Sequence, residues 1–150
     1  MKLLPKAMEM ALEEARLAAA RGEVPVGAVV TDPSGRPLAR AGNRTEELQD
    51  PTAHAEMLAI REACRVLGST RLTGCSLHVT LEPCAMCAAA ISHARLRRLY
   101  FAASDEKMGA VHHGPRFFSQ PTCHHAPEIY DGLGADEAAR LLREFFAARR

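Results

Sequence analysis

The sequence predicts an α/β domain with a mixed sheet, and three observations predict it. Apolar residues recur at helical spacing near both ends of the chain, short apolar runs lie between the helical segments, and a tight turn joins the first two runs. A hairpin followed by strands that alternate with helices requires an antiparallel pair and then crossover connections. Since 150 residues are about the size of one domain, we expect a single domain over residues 1–150.

The first elements are a helix and a hairpin. A stripe of apolar residues follows helical spacing over residues 6–21, and Gly22 is a suitable residue to end that helix. Residues 26–31 form a short apolar run rich in valine, which indicates a buried strand. The residues Asp-Pro-Ser-Gly at 32–35 favour a turn, so residues 38–41 are expected to return as the second arm of a hairpin.

Helices and strands alternate in the rest of the chain. The expected elements are, in order, a helix over 52–67 with Thr52 as its N-cap, a strand over 76–80, a helix with Pro83 at its first position that continues over 84–93, and a strand over 98–102. Residues 103–133 are expected to be mostly irregular. A last amphipathic helix over 136–148 is expected to point four residues toward the core, namely Ala139, Leu142, Phe145 and Phe146.

Composition and charge exclude several classes of protein. Hydrophobic residues make up 47% of the chain and charged residues 25%, which is typical of a globular protein and not of a disordered one. No apolar run approaches the ~20 residues of a membrane-spanning helix. The first six residues turn polar too soon for a signal peptide, so we expect a cytoplasmic protein. The five cysteines are an odd number, which argues against a disulfide framework.

The near-neutral charge also limits the kind of partner. A net charge of +1 lacks the basic excess with which proteins bind a long duplex through many phosphates. Any contact with nucleic acid is therefore expected to be small and local.

Two short motifs contain the residues best suited to chemistry. One is Pro-Thr-Ala-His-Ala-Glu at 51–56, the other is Leu-Glu-Pro-Cys-Ala-Met-Cys at 81–87, and each lies where a helix is expected to begin. Cys84 and Cys87 are three residues apart, so on a helix both sulfurs project from one face and can share an ion. With His54 as a third ligand, the donors are typical of tetrahedral zinc.

The number of ligands indicates a catalytic zinc site. A structural site closes with four protein ligands, whereas three leave a position for a water molecule, whose pKa zinc lowers to about 7. Glu56 does not share the helical face of His54 and is expected to move protons between that water and a leaving nitrogen. A redox Cys-x-x-Cys pair would leave both His54 and Glu56 unexplained.

The two motifs resemble the signature of the zinc-dependent cytidine and deoxycytidylate deaminases, His-x-Glu followed by Pro-Cys-x-x-Cys. Within this superfamily the chain is most similar to the bacterial tRNA-specific adenosine deaminases of the TadA type. The segments that resemble them are residues 23–29, 42–44, 50–56, 79–87, 101–105 and 141–146. The resemblance implies a three-layer α/β/α fold, cytidine-deaminase-like, around a mixed sheet of about five strands.

The resemblance also implies a reaction and a metal. Adenosine at the wobble position (A34) of an arginine tRNA anticodon would be hydrolysed to inosine, with release of ammonia. His54, Cys84 and Cys87 match the family's zinc ligands, with one Zn²⁺ per subunit, and Glu56 matches its proton shuttle.

Four further residues match family positions that contact the substrate. Asn43 matches an asparagine that hydrogen-bonds the flipped base, and Ala55 matches a residue whose backbone contacts the base edge. Asp105 and Lys107 match loop positions that meet the neighbouring anticodon nucleotides. Members of the family form homodimers, so a homodimer is implied as well.

Three alternatives stay open at the level of sequence. A deaminase of a free base or nucleoside, such as guanine or cytosine, would use the same zinc and Glu56 with a different pocket rim, and the near-neutral charge slightly favours it. A non-catalytic zinc-binding module is the alternative from another class. In addition, the pair His112-His113 and the run Cys123-His124-His125 offer either a second metal site or a polar loop at the rim of the active site.

Overall fold

A five-stranded sheet lies at the centre of the fold, described for residues 4–149 by a computed structural model. The first three residues of the segment considered as a signal peptide lie outside this range. The elements follow in the order α1 (Lys6–Ala20), β1 (Gly27–Thr31), β2 (Pro37–Gly42), α2 (Ala55–Leu67), β3 (Ser76–Leu81), α3 (Ala85–His93), β4 (Arg98–Ala103), a 3₁₀ turn (Phe117–Ser119), β5 (Glu128–Asp131) and α4 (Ala135–Ala147).

The sheet is mixed, as the sequence predicts. Its strand order is β2-β1-β3-β4-β5. The hairpin partner β2 and the crossover strand β3 both pair antiparallel to β1, whereas β3, β4 and β5 run parallel to one another. Parallel neighbours need a crossover connection, which α3 supplies between β3 and β4.

Helices cover both faces of the sheet, which gives the three layers that the family resemblance implies. Because side chains alternate along a strand, Ala28 and Val30 of β1 pack on the face covered by α2 and α3. Val29 points the other way and packs with Met8 and Leu12 of α1 and with α4. All three β1 residues are fully buried, so β1 is covered on both faces.

Gly27 marks the closest approach of α1 to the sheet. A Cβ atom at this position would lie 1.9 Å from the carbonyl oxygen of Ala11 and 2.7 Å from the backbone nitrogen of Ala15. Only glycine therefore permits this packing distance. The Gly27 N–H donates to Thr80 Oγ1 at 3.1 Å, which joins the start of β1 to the end of β3.

Strand β5 lies in the region expected to be irregular, so that expectation is wrong for residues 128–131. The strand is short and sits at the edge of the sheet, and three of its four residues are exposed. Its sequence therefore lacks an alternation of apolar and polar residues, and it is held mainly by backbone pairing with β4.

The two central helices begin later than predicted. His54, not Thr52, is the N-cap of α2, because both the N–H and the hydroxyl of Thr52 donate to Asp50 instead. Cys84 is the N-cap of α3, so Pro83 precedes the helix.

The last helix also differs from its predicted orientation. Phe145 is buried as expected, but Phe146 is 48% exposed, and Ala138 is the other buried residue of α4. Ala139 and Leu142 are only partly buried against the core. Within residues 4–149, no helix has both the length and the apolar character needed to cross a membrane.

Candidate metal centre and pocket

The starts of α2 and α3 bring three metal-binding side chains together. His54 Nδ1 lies 3.7 Å from Cys84 Sγ and 3.5 Å from Cys87 Sγ, although about thirty residues separate the histidine from the cysteines. His54 and Cys84 cap their helices with extended backbone, and Cys87 follows in the first turn of α3. The three ligand atoms all lie within 4.8 Å of one another.

These distances fit one zinc ion. Ligands at about 2.3 Å (sulfur) and about 2.0 Å (nitrogen) in tetrahedral geometry are separated by roughly 3.5 Å. The observed separations of 3.5 and 3.7 Å are close to that value. Among residues 4–149, this is also the one group of three or more His, Cys, Asp or Glu side chains close enough to hold a metal.

The two sulfurs differ in acidity. The pKa of the Cys84 thiol lies well below its ordinary value, because Cys87 donates a hydrogen bond to it and His54 stands beside it. The same hydrogen bond and burial raise the pKa of Cys87. Cys84 is therefore the group that is ionised first, as a metal ligand must be.

Glu56 is buried beside this cluster without belonging to it. It is the second residue of α2 and only 4% exposed. Burial raises the pKa of its carboxyl group to about 7. At neutral pH such a group is present in both protonation states, so it is able to accept and to donate a proton.

A pocket of about 280 Å³ opens next to the cluster. His54, Glu56 and Cys84 line it, whereas Cys87 is fully buried and does not. The other lining residues are Val24, Val26, Asn43, Thr45, Leu81, Glu82, Asp105 and Met108. The walls thus combine apolar surface from two strand regions with a few polar groups, as is usual for a site that binds a small organic molecule.

One rim of the pocket is held by a buried acid. Asn43 is 7% exposed, and its side-chain amide donates to Thr45 Oγ1 at 3.3 Å. The loop that follows is held by Glu23, which is 2% exposed and accepts the backbone N–H groups of Glu46 and Glu47 at 3.2 and 2.7 Å.

The opposite rim depends on a second buried acid, Glu82. Burial raises its pKa, but hydrogen bonds from Asp105, His113, His112 and Val111 outweigh that effect, so the pKa lies below its ordinary value. Because Glu82 is only 2% exposed, its carboxylate is stabilised almost entirely by hydrogen-bond donors of the protein and not by water.

Of the four residues expected to bind the substrate, two line the pocket and two do not. Asn43 and Asp105 line the pocket. Ala55 is fully buried at the first position of α2. Lys107 is exposed and does not line the pocket; its backbone N–H donates to Asp105 Oδ1 at 3.1 Å, and Met108 occupies the rim beside it.

Sequence reasoning missed the apolar wall and the two rim acids. Val24 and Val26 lie just before β1 and face the pocket rather than only the core. Glu23 and Glu82 stand next to apolar residues and carry no spacing pattern that indicates burial. Only Glu82 offers a signal: it comes just after a predicted strand and precedes Pro-Cys, and glutamate is depleted in strands.

A second metal cluster is not found among the described residues. His113 donates to Glu82, whereas His125 Nε2 lies 2.7 Å from the carbonyl oxygen of Leu96. Cys123 packs against Ser92 at 3.6 Å, at the end of α3. Residues 112–113 therefore contact Glu82, which lines the pocket, whereas residues 123–125 pack near Ser92 and Leu96.

The cysteines outside the cluster are free, as are the two in it, in line with the expected lack of a disulfide framework. Burial raises the pKa of both Cys64 and Cys75, so neither is a reactive thiolate.

The site and the fold are similar to those of known proteins. Residues 1–103 match the family described as cytidine and deoxycytidylate deaminase zinc-binding region. A protein of Agrobacterium fabrum named tRNA-specific adenosine deaminase is 62% identical over 143 residues, which cover 95% of this chain and 93% of that protein.

Two solved structures extend the comparison to three dimensions. A chain from a study of A-to-I editing by tRNA:A34 deaminases superposes with a TM-score of 0.90 at 62% identity, covering 91% of this chain and 99% of that one. The guanine deaminase of Nitrosomonas europaea superposes with a TM-score of 0.82 at 28% identity, covering 98% of this chain and 86% of that one. The fold is shared with both, and the sequence is much closer to the first.

Proposed function

The chain belongs to the family of cytidine and deoxycytidylate deaminases that carry a zinc-binding region, and we propose that it hydrolyses adenosine to inosine at position 34 of a tRNA anticodon, releasing ammonia. Two relatives that match nearly the whole chain, at 62% and 48% identity, are both named tRNA-specific adenosine deaminase. The enzyme is accordingly a hydrolase that acts on tRNA.

The observation that best supports the reaction is the cluster of His54, Cys84 and Cys87 beside the pocket, with Glu56 in the pocket wall. Three donors at tetrahedral separations suit a zinc ion with one position left for water. A carboxyl group with a pKa of about 7 lies beside them. We therefore assign the three donors as zinc ligands and Glu56 as the acid/base group.

When bound, zinc supplies a nucleophilic water at neutral pH and polarises the reaction centre. Glu56 moves the protons. Its carboxylate accepts a proton from the attacking water and gives it to N1 of the purine ring. It then takes the remaining proton from the new C6 hydroxyl group and gives it to the 6-amino group. The C6–N bond breaks, ammonia leaves, and the C6–O bond that has formed becomes the carbonyl of inosine.

The pocket is suited to one base taken out of its stack. Asn43 provides an amide for hydrogen bonds to the base, the backbone at Ala55 lies at the start of α2 beside His54, and Val24 and Val26 provide apolar surface for the ring. Asp105 and Lys107 belong to the rim that would meet the neighbouring nucleotides.

A small protein surface with little net charge is sufficient for this substrate. An anticodon loop is single-stranded, so removing one base from its stack costs at most about a few kcal/mol.

We propose an arginine tRNA as the substrate, as the family resemblance implies. Since tRNA is matured and used in the cytoplasm, we place the reaction there.

We also propose that the protein forms a homodimer. The resemblance implies it, and the surface of α3 supports it, because this helix is almost entirely apolar. Four of its apolar residues remain partly or largely exposed, namely Ala85, Met86, Ala89 and Ala90. Light scattering of the purified protein is expected to give twice the 16.3 kDa mass of the chain.

Incubation with an unmodified anticodon stem-loop bearing A34 tests the proposed function. Inosine is expected at position 34, measured by nuclease digestion and mass spectrometry. The shared fold with a guanine deaminase makes free guanine, cytosine and adenosine the appropriate comparison substrates. Ammonia released only from those free compounds, with no inosine in the stem-loop, would overturn the tRNA assignment.

A further inference from the structure

Glu82 is a buried carboxylate that receives its hydrogen bonds from one short segment. Its Oε1 accepts the N–H of Asp105 at 3.0 Å and His113 Nδ1 at 2.8 Å. Its Oε2 accepts the N–H groups of Val111 at 3.1 Å and His112 at 3.0 Å. With its side chain fully buried, the carboxylate depends on these four bonds to offset the loss of water.

The segment from Asp105 to His113 is folded directly onto this carboxylate. A Cβ atom at Gly109 would lie 2.5 Å from the Glu82 carboxyl group and 2.3 Å from the Asp105 carbonyl oxygen. Glycine is therefore required where the segment crosses Glu82. The N–H of Ala110 donates to the Pro83 carbonyl at 2.9 Å, which adds a second attachment to the same stretch of chain.

The position of the pocket rim follows from these contacts. Asp105 Oδ1 accepts the N–H groups of Lys107 and Met108 at 3.1 and 3.0 Å, so the turn 105–108 moves with Asp105. Asp105 and Met108 line the pocket, and Glu82 itself borders it two residues before Cys84. One side chain thus links the helix start that bears a metal ligand to the rim opposite Asn43.

On the basis of the proposed function, we infer that Glu82 is a positioning residue that fixes the rim 105–108 and thereby sets selectivity for the nucleotides flanking the target base. It does not touch the reacting atoms in this role. Its effect is exerted on Asp105, Lys107 and Met108, a part of the rim that contributes none of the three metal-binding side chains.

The variant Glu82→Gln tests this role because it keeps the shape and removes the charge. A glutamine offers one acceptor oxygen and turns an NH₂ group toward N–H donors, so at least one rim N–H group loses its partner. Amide hydrogen exchange at Asp105, Val111 and His112 is expected to become at least about tenfold faster. This measurement needs no substrate, so it remains decisive even if the tRNA assignment fails.

Kinetics on the A34 stem-loop test the consequence for the substrate. We expect KM to rise about tenfold or more while kcat changes by less than about threefold, because binding and not chemistry is affected. Selectivity between stem-loops that differ at positions 33 and 35 is expected to weaken. Unchanged exchange rates, or a loss confined to kcat, would overturn the inference.

Two further variants make the comparison specific. Glu23→Gln removes the other buried rim acid, so it is expected to speed exchange at Glu46 and Glu47 and to leave residues 105–113 as in the wild type. If Glu82→Gln does not fold, His113→Ala removes only one of the four bonds. It is expected to raise KM by a smaller factor with unchanged kcat, and an unaltered KM would contradict the role of Glu82.

Discussion

His54 Nδ1 lies 3.5 Å from Cys87 Sγ, although 33 positions separate the two residues in the chain. The contact exists because α2 and α3 begin side by side against the same face of the sheet. Each helix contributes its N-terminal end, where backbone N–H groups favour thiolate and carboxylate. The metal centre is therefore a junction between two helix starts, and its occupancy is expected to affect both activity and stability.

Removal of the metal is expected to abolish deamination and to lower the melting temperature by about 5 °C or more, since the ion joins two helix starts and ~2 kcal/mol corresponds to such a shift. Chelation followed by calorimetry and metal analysis provides the measurement. The variant Cys87→Ala is expected to reproduce both losses. Cys64→Ala serves as its control, because Cys64 lies on α2 outside the cluster and should leave zinc content at one ion per chain. An unchanged melting curve in the metal-free protein would refute the stabilising role.

Replacement of the acid/base group is expected to separate chemistry from folding. Glu56→Gln keeps the size of a side chain that is only 4% exposed but cannot shuttle protons, so kcat should fall by roughly 10³ or more while zinc content is unchanged. Glu62→Gln changes a half-exposed side chain on the same helix, outside the pocket, and as the matched control it should retain wild-type kcat. Substantial inosine formation by Glu56→Gln would show that another group moves the protons.

Acid is expected to destabilise the protein partly through His78. This residue of β3 is 7% exposed, its ring is stacked on Tyr100 with 4.6 Å between centroids, and Nε2 lies 3.3 Å from Thr31 Oγ1. Among the described residues Nδ1 has no hydrogen-bond partner, and burial lowers the pKa of His78 to about 4.

The direction of the pH effect follows from that lowered pKa. Because the unfolded chain binds the proton more readily, His78 makes its full contribution to the free energy of unfolding above pH ~6.5. As the pH falls toward 4, the free energy of unfolding decreases by at most about 3 kcal/mol on account of this residue. Urea unfolding at pH 7 and pH 4.5 measures it. His78→Phe should lose less stability between these values than the wild type, and His93→Gln, an exposed control, should lose the same amount. Identical losses for His78→Phe and the wild type would contradict the assignment.

The close contact between α1 and the sheet is expected to tolerate no side chain. Gly27→Ala places a Cβ atom 1.9 Å from the Ala11 carbonyl oxygen, so the free energy of unfolding should fall by about 3 kcal/mol or more. Gly35→Ala, where a Cβ atom meets open space but φ is +90°, should cost at most about 2 kcal/mol. Comparable urea midpoints for both variants would show that α1 moves away easily.

Local sequence alone determined the type and order of most elements. The turn chemistry of residues 32–35 sufficed for the hairpin, and apolar spacing sufficed for α1 and α4, because these signals act between near neighbours. The residue types of the motifs also sufficed to indicate zinc, since two thiolates and an imidazole at helix starts suit few other ions. The mixed sheet was predicted for these reasons, whereas the helical layers on its two faces were implied by the family resemblance.

The tertiary structure alone decided which distant groups face one another. The edge strand β5 exists because β4 offers it backbone partners, and Phe146 is exposed because α4 turns Ala138 toward α1 instead. The burial of Glu82 is decided in the same way, since its four donors lie more than twenty residues away in sequence. Such contacts depend on how helices pack across the sheet, and no local pattern of side chains encodes that packing.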